Sequence, residues 1–121
     1  MSCRDILVVE DDQDISESLR DLLESEGYHV ATAANGREGI EVLRAQNLQP
    51  CVVLLDLMMP VMNGWQFLEA KAADDGLSAI PVVVVSAYGD RFDSACKATA
   101  GFISKPIDLG RLLGLVHRLC D

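Results

Sequence analysis

Cys51-Val52-Val53-Leu54-Leu55-Asp56 is the stretch that decides the fold. It runs without a polar break and then stops at a single carboxylate. A strand with one wet face alternates apolar and polar residues. A short, unbroken, β-branched run instead fits a strand buried on both faces, as in a parallel sheet covered by helices on both sides. Working outward, Ile6-Leu7-Val8-Val9 has the same character and stops at Glu10-Asp11-Asp12. Val82 to Val85 follows Pro81 and ends at Ser86, and the brief Phe102-Ile103 ends at Ser104-Lys105-Pro106.

Between these runs the spacing turns helical. Ile15, Leu19, Leu22 and Leu23 repeat with helix period, and Gly27 closes that helix. Tyr28 to Thr32 reads as a strand, Asn35-Gly36 as a loop, and Ile40 with Leu43 predicts a helix over 37–46. Asn63 is placed to cap a helix carrying Phe67 and Leu68 on one side. Residues 89–99 are weakly patterned and allow only a short or irregular helix. Ile107 to Leu119 forms a last amphipathic helix with Leu112, Leu115, Val116 and Leu119 on its stripe. Strands alternating with helices imply parallel βαβ units with right-handed crossovers, so the expected class is α/β, a five-stranded sheet with helices on both faces. One domain is expected over 1–121, with its core at 4–119 and no output domain.

The 121 residues are 50% hydrophobic but only 5% aromatic, so the core must be aliphatic. Nineteen acids against ten bases give a net charge of −9, and residues 1–60 hold 12 acids and 4 bases. A chain with this balance and no basic cluster is a poor partner for nucleic acid or for an anionic membrane. No apolar run reaches the length of a membrane span. Cys3, Cys51, Cys96 and Cys120 form no CxxC pair and share no metal spacing with His29 or His117. Four reduced thiols in a cytoplasmic protein are therefore expected, and no signal peptide precedes the first strand.

In a doubly wound sheet, ligands bind beyond the carboxyl ends of the strands. Those ends carry Glu10, Asp11 and Asp12, then Asp56, Ser86 and Lys105. Crowded carboxylates repel one another, and a divalent cation relieves the repulsion. Oxygen-only donors point to Mg²⁺. The metal in turn invites a phosphoryl group, whose charge Lys105 and Ser86 would share. Asp56, alone at the end of the central strand, is the candidate nucleophile. The cluster at 10–12 suits metal capture, and Asp12 also suits a helix start.

ILVVEDD at 6–12, LLDLMMPVMNGW at 54–65, VVVVSA at 82–87 and FISKP at 102–106 together resemble the bacterial response-regulator receiver domain of two-component systems, in its stand-alone CheY-like form. The resemblance spans nearly the whole chain and implies strand order 2-1-3-4-5. It implies that Asp56 accepts phosphate from a histidine kinase or phosphotransfer protein. Asp11 would ligate Mg²⁺ directly, Glu10 mainly through water, and the Met58 backbone carbonyl would be a further ligand, with Mn²⁺ as an in vitro substitute. Ser86 and Lys105 would hold phosphoryl oxygens, and Phe102 would rotate as Ser86 switches inward. Lys105-Pro106 would be cis. The domain would then be no enzyme in the ordinary sense, but a signalling protein that promotes its own phosphorylation and slow dephosphorylation. It would act through an unknown downstream protein, as a monomer or weak dimer.

Two departures stand out. Ser86 and Lys105 are 19 residues apart, a few fewer than in typical members. Met58 and Tyr88 put bulky side chains two residues after Asp56 and Ser86, where they would shield the acyl phosphate from water. The short spacing leaves open a pseudo-receiver that binds a partner independently of phosphorylation. A haloacid-dehalogenase-type phosphatase would need an acid where Met58 stands, and a flavin phosphate would be repelled by the acids at 10–12.

Overall fold

The computed structural model describes residues 5–45, 49–56, 61–86, 100–104 and 107–120. Within them the chain alternates β1 (Asp5–Val9), α1 (Gln13–Ser25), β2 (His29–Ala33), α2 (Gly36–Ala45), β3 (Val52–Asp56), α3 (Gly64–Ala72), β4 (Val82–Ser86), β5 (Gly101–Ser104) and α4 (Leu109–Cys120). All strand pairs are parallel and lie in the order β2-β1-β3-β4-β5. The expected helix at 89–99 and the Lys105–Pro106 peptide lie outside the described residues.

The unbroken apolar runs work as two interleaved patterns. Leu7, Val9, Val53, Leu55, Val82 and Val84 point to one face, where Ile40 and Leu43 of α2 and Phe67 of α3 meet them. Ile6, Val8, Val52, Leu54, Val83 and Ile103 point to the other, against Leu19 and Leu23 of α1 and Leu112 and Val116 of α4. Period-two alternation therefore feeds two cores at once, and each aliphatic side chain fully buried contributes roughly 1.5–3 kcal/mol.

The helix ends follow local chemistry. Asp12 caps α1, its side chain accepting from the backbone N–H groups of Asp14 and Ile15. At the other end, Gly27 N–H donates to the Glu24 carbonyl and Tyr28 N–H to that of Leu23. Gly27 takes φ 93°, the left-handed turn that such a stop requires. Asn63 and Gln66 exchange side-chain and backbone hydrogen bonds in a full capping box on α3. On α4 the buried positions are Leu112, Val116 and Cys120, with Leu115 and Leu119 partly buried beside them.

The expectation of reduced thiols fails for two of the four cysteines. Cys51 and Cys120 form a disulfide across 69 residues of sequence, with Cα atoms 5.2 Å apart. The cause is topological. Helix α4 starts beyond the carboxyl end of β5 and runs back over the sheet, so its last turn reaches the residue that precedes β3. No linear spacing reports that proximity. Cys3 and Cys96 lie outside the described residues.

Candidate functional site

Glu10 follows β1 directly, and its N–H donates to the Ala33 carbonyl at 3.0 Å, which holds it against the end of β2. The chain then turns into α1 within two residues, and this turn separates three consecutive acids. Glu10 is buried at 5% exposure, Asp11 faces solvent, and Asp12 is used up as the helix cap. Asp12 N–H lies 3.4 Å from Glu10 Oε2 and helps fix that carboxylate.

Asp56 arrives from the neighbouring strand. Val9 pairs in register with Leu55, so the residues after them stand side by side at the carboxyl edge. Asp56 is also 5% exposed. One carboxylate oxygen from each of Glu10, Asp11 and Asp56 lies within 4.8 Å of the others. The strand order reverses direction between β1 and β3, which is where an open α/β sheet leaves a crevice for a ligand. Three hard oxygen donors around one point, without thiolate or imidazole, fit a small divalent cation such as Mg²⁺. An open cleft of about 220 Å³ adjoins Glu10 and Asp11, lined also by Gln13, Ser16, Thr32 and Glu38.

The far side of the site is set by β4 and β5. Asp56 pairs with Val85, and Ser86 pairs with Ser104, so the backbone of Ser86 stands one step beyond Asp56 on the adjacent strand. Lys105 follows Ser104 in sequence and lies outside the described residues, as do Met58, Met59 and Tyr88. Phe102 pairs with Val84 and packs, half-buried, against the core shared by α2 and α3.

The segment leading into α3 is fastened to α2. Gly36 N–H donates to the Met62 carbonyl at 2.9 Å, and a Cβ on Gly36 would come within 2.8 Å of that oxygen. Val61 takes φ 68° while 72% exposed, a left-handed conformation unusual for a β-branched residue. Trp65 is half-buried beside this segment against the same core.

Two features escaped the sequence reading. Lys71 is buried on the stripe of Gly64 and Phe67 and donates to the Ser78 carbonyl at 2.9 Å; burial lowers its pKa below the ordinary value of 10.5. Its position four residues after Phe67 was the available signal. His117 is partly exposed and carries two side-chain partners. Its Nδ1 pairs with the Tyr28 hydroxyl at 2.8 Å and its Nε2 lies 3.2 Å from Glu26 Oε1. Pairings this distant in sequence leave no local trace.

Comparison with protein families matches residues 6–117 to the response regulator receiver domain. The chain belongs to this family. The receiver is 33% identical over 115 residues to the protein PilH of Pseudomonas aeruginosa, covering 93% of each chain. It is 30% identical over 116 residues to the polar-differentiation response regulator DivK of Brucella anthropi, covering 91% of this chain and 90% of that one. It spans about half the length of other curated relatives, among them the response regulator Rre1 of Synechocystis, at 35% identity over 94% of this chain. Among solved structures, the chemotaxis response regulator CheY4 of Vibrio cholerae superimposes with a TM-score of 0.84 at 28% identity, covering 98% of this chain and 99% of that one. The regulator TrrA of Thermotoga maritima, solved in complex with Mg²⁺ and BeF, gives 0.83 at 27% identity, covering 96% and 98%. Receiver domains bind Mg²⁺ at an acidic pocket, and this chain carries an acidic cluster of Glu10, Asp11 and Asp56. Among the described residues no helix is long and apolar enough to cross a membrane.

Proposed function

We propose that this receiver takes a phosphoryl group from the phosphohistidine of a histidine kinase or phosphotransfer protein onto Asp56, and so changes its contacts with a downstream protein. The convergence of Asp56 with Glu10 and Asp11 carries this reading. An Asp56 carboxylate oxygen attacks phosphorus, the N–P bond breaks, and its electron pair returns to the donor imidazole. Mg²⁺, held by Glu10, Asp11, Asp56 and the Met58 carbonyl, would offset charge on the phosphoryl oxygens, and Mn²⁺ would serve in vitro. Lys105 would pair with one of these oxygens and the Ser86 hydroxyl would donate to another, with Phe102 turning inward behind it. The low exposure of Glu10 and Asp56 limits water around the reacting group.

The added group brings roughly −1.5 to −2 charge, enough to bias a two-state arrangement of the strand ends. By their sequence positions, two residues after Asp56 and Ser86, the bulky Met58 and Tyr88 would shield the acyl phosphate, and self-dephosphorylation would be slow. Output is by protein contact, in the cytoplasm and without nucleic acid, from a monomer or weak dimer. The full set of acids, hydroxyl and ammonium disfavours the phosphorylation-independent reading. Acetyl phosphate with Mg²⁺ should label the wild-type protein and leave Asp56→Ala unlabelled. The label should persist well beyond seconds; a half-life of seconds contradicts the shielding, and equal labelling of Asp56→Ala contradicts the assignment.

A further inference from the structure

We propose that Cys51 and Cys120 form a reversible dithiol–disulfide pair, set by exchange with a small-molecule thiol of the glutathione class, which controls how firmly the last turn of α4 is tied to the strand bearing Asp56. The Cα separation of 5.2 Å lets the bridge close without backbone movement. Cys51 immediately precedes β3 and Asp56 ends it. A strand of that length spans roughly 16 Å, so the bridge acts on the edge of the sheet opposite the phosphoacceptor.

Both redox states have a place in this structure. The Asp5 carbonyl oxygen lies 3.3 Å from Cys51 Sγ, an acceptor already in position for the thiol proton once the bridge opens. The helix does not depend on the bridge alone. Leu112 and Val116 are fully buried, and His117 sits between Tyr28 and Glu26 one turn before Cys120. Opening the bridge therefore loosens a terminal turn and leaves the domain folded. The residues are 8% and 5% exposed, which makes exchange slow but not closed off. In a reducing compartment a disulfide of this kind is transient, which suits it to sensing.

The step balances as thiol exchange. One cysteine thiolate attacks a small disulfide and releases one small thiol. The second cysteine thiolate then attacks the mixed disulfide at the protein sulfur and releases the other. Two electrons pass from the cysteine pair to the small disulfide, and the two thiol protons end on the released thiols. Excess small thiol drives the sequence backwards.

The test uses the full chain with Cys3→Ser and Cys96→Ser, equilibrated in glutathione buffers of graded ratio. Alkylation and mass measurement count the free thiols, and hydrogen exchange reports on residues 116–120. The expected result is a reversible passage between two thiols and none, with a native circular dichroism spectrum in both states. Amides of the last turn should exchange about tenfold faster when reduced, and those of β3 should not change. Adding Cys51→Ser should fix the fast pattern at every ratio. Three results overturn the proposal: two free thiols in every buffer, a bridge in the folded protein that excess thiol never opens, or equal exchange of the last turn in both states.

Discussion

Glu10 and Asp56 bring two carboxylates from adjacent strands into one site, each on a residue only 5% exposed. The register of Val9 with Leu55 enforces this, and a one-residue slip of either strand would exchange the side chains fitted to the two cores. Like charges held this way cost stability until a cation arrives. Two unit charges about 4 Å apart repel by about 1 kcal/mol even in water. Asp56→Asn should therefore raise the unfolding free energy of the metal-free protein by about 1 kcal/mol or more and shrink the stabilisation conferred by Mg²⁺. Urea unfolding with and without Mg²⁺ checks this; an Mg²⁺ effect of wild-type size in the variant contradicts it.

Gly36 fixes the approach of α2 to the segment before α3. A Cβ there would meet the Met62 carbonyl at 2.8 Å, and Met62 Cγ at 2.9 Å. Gly36→Ala should cost roughly 1–3 kcal/mol by overpacking and should slow phosphorylation of Asp56, because the same loop leads from that residue. Denaturant midpoints and labelling rates should change together; an unaltered midpoint contradicts the close approach.

Val61 holds φ 68° with its side chain in solvent. It loses no packing on replacement, whereas Asn tolerates the left-handed region far better. Val61→Asn should stabilise the fold by about 1 kcal/mol. A lowered unfolding midpoint would show that the exposed valine contributes something other than strain.

Lys71 gives a pH dependence of defined sign. Burial lowers its pKa below 10.5, so the unfolded chain binds this proton more tightly than the folded one. Its contribution makes stability rise with pH through the interval between the folded value and 10.5, and level off above it. Lys71→Met should remove that part of the slope. Urea unfolding between neutral and alkaline pH should show a flatter profile in the variant; identical profiles contradict the burial penalty.

The sheet was legible because both faces of the inner strands β1, β3 and β4 are covered. Runs such as Ile6–Val9 and Val82–Val85 admit few other environments, and the acids that end β1 and β3 mark the edge where ligands collect. The caps at Asp12 and Asn63 were legible for the same local reason, since a side-chain acceptor at that position satisfies free N–H groups. What stayed hidden depends on which distant surfaces meet. The Cys51–Cys120 bridge follows from the path of α4 over the sheet, and the Tyr28–His117 contact from where that helix ends. Lys71 stayed hidden because its long aliphatic stem lets a cation occupy an apolar stripe.

The central claim is that Glu10, Asp11 and Asp56 hold a divalent cation that lets Asp56 carry a phosphoryl group. The most direct measurement is a nitrogen–proton NMR titration with Mg²⁺, followed by beryllofluoride as the phosphoryl stand-in. The account predicts saturable shifts at the amides of Glu10, Asp11 and Asp56 with Mg²⁺ alone, and a second set reaching Ser86 and β5 when beryllofluoride is added, both lost in Asp56→Ala. A spectrum that does not move at saturating concentrations of both would contradict it.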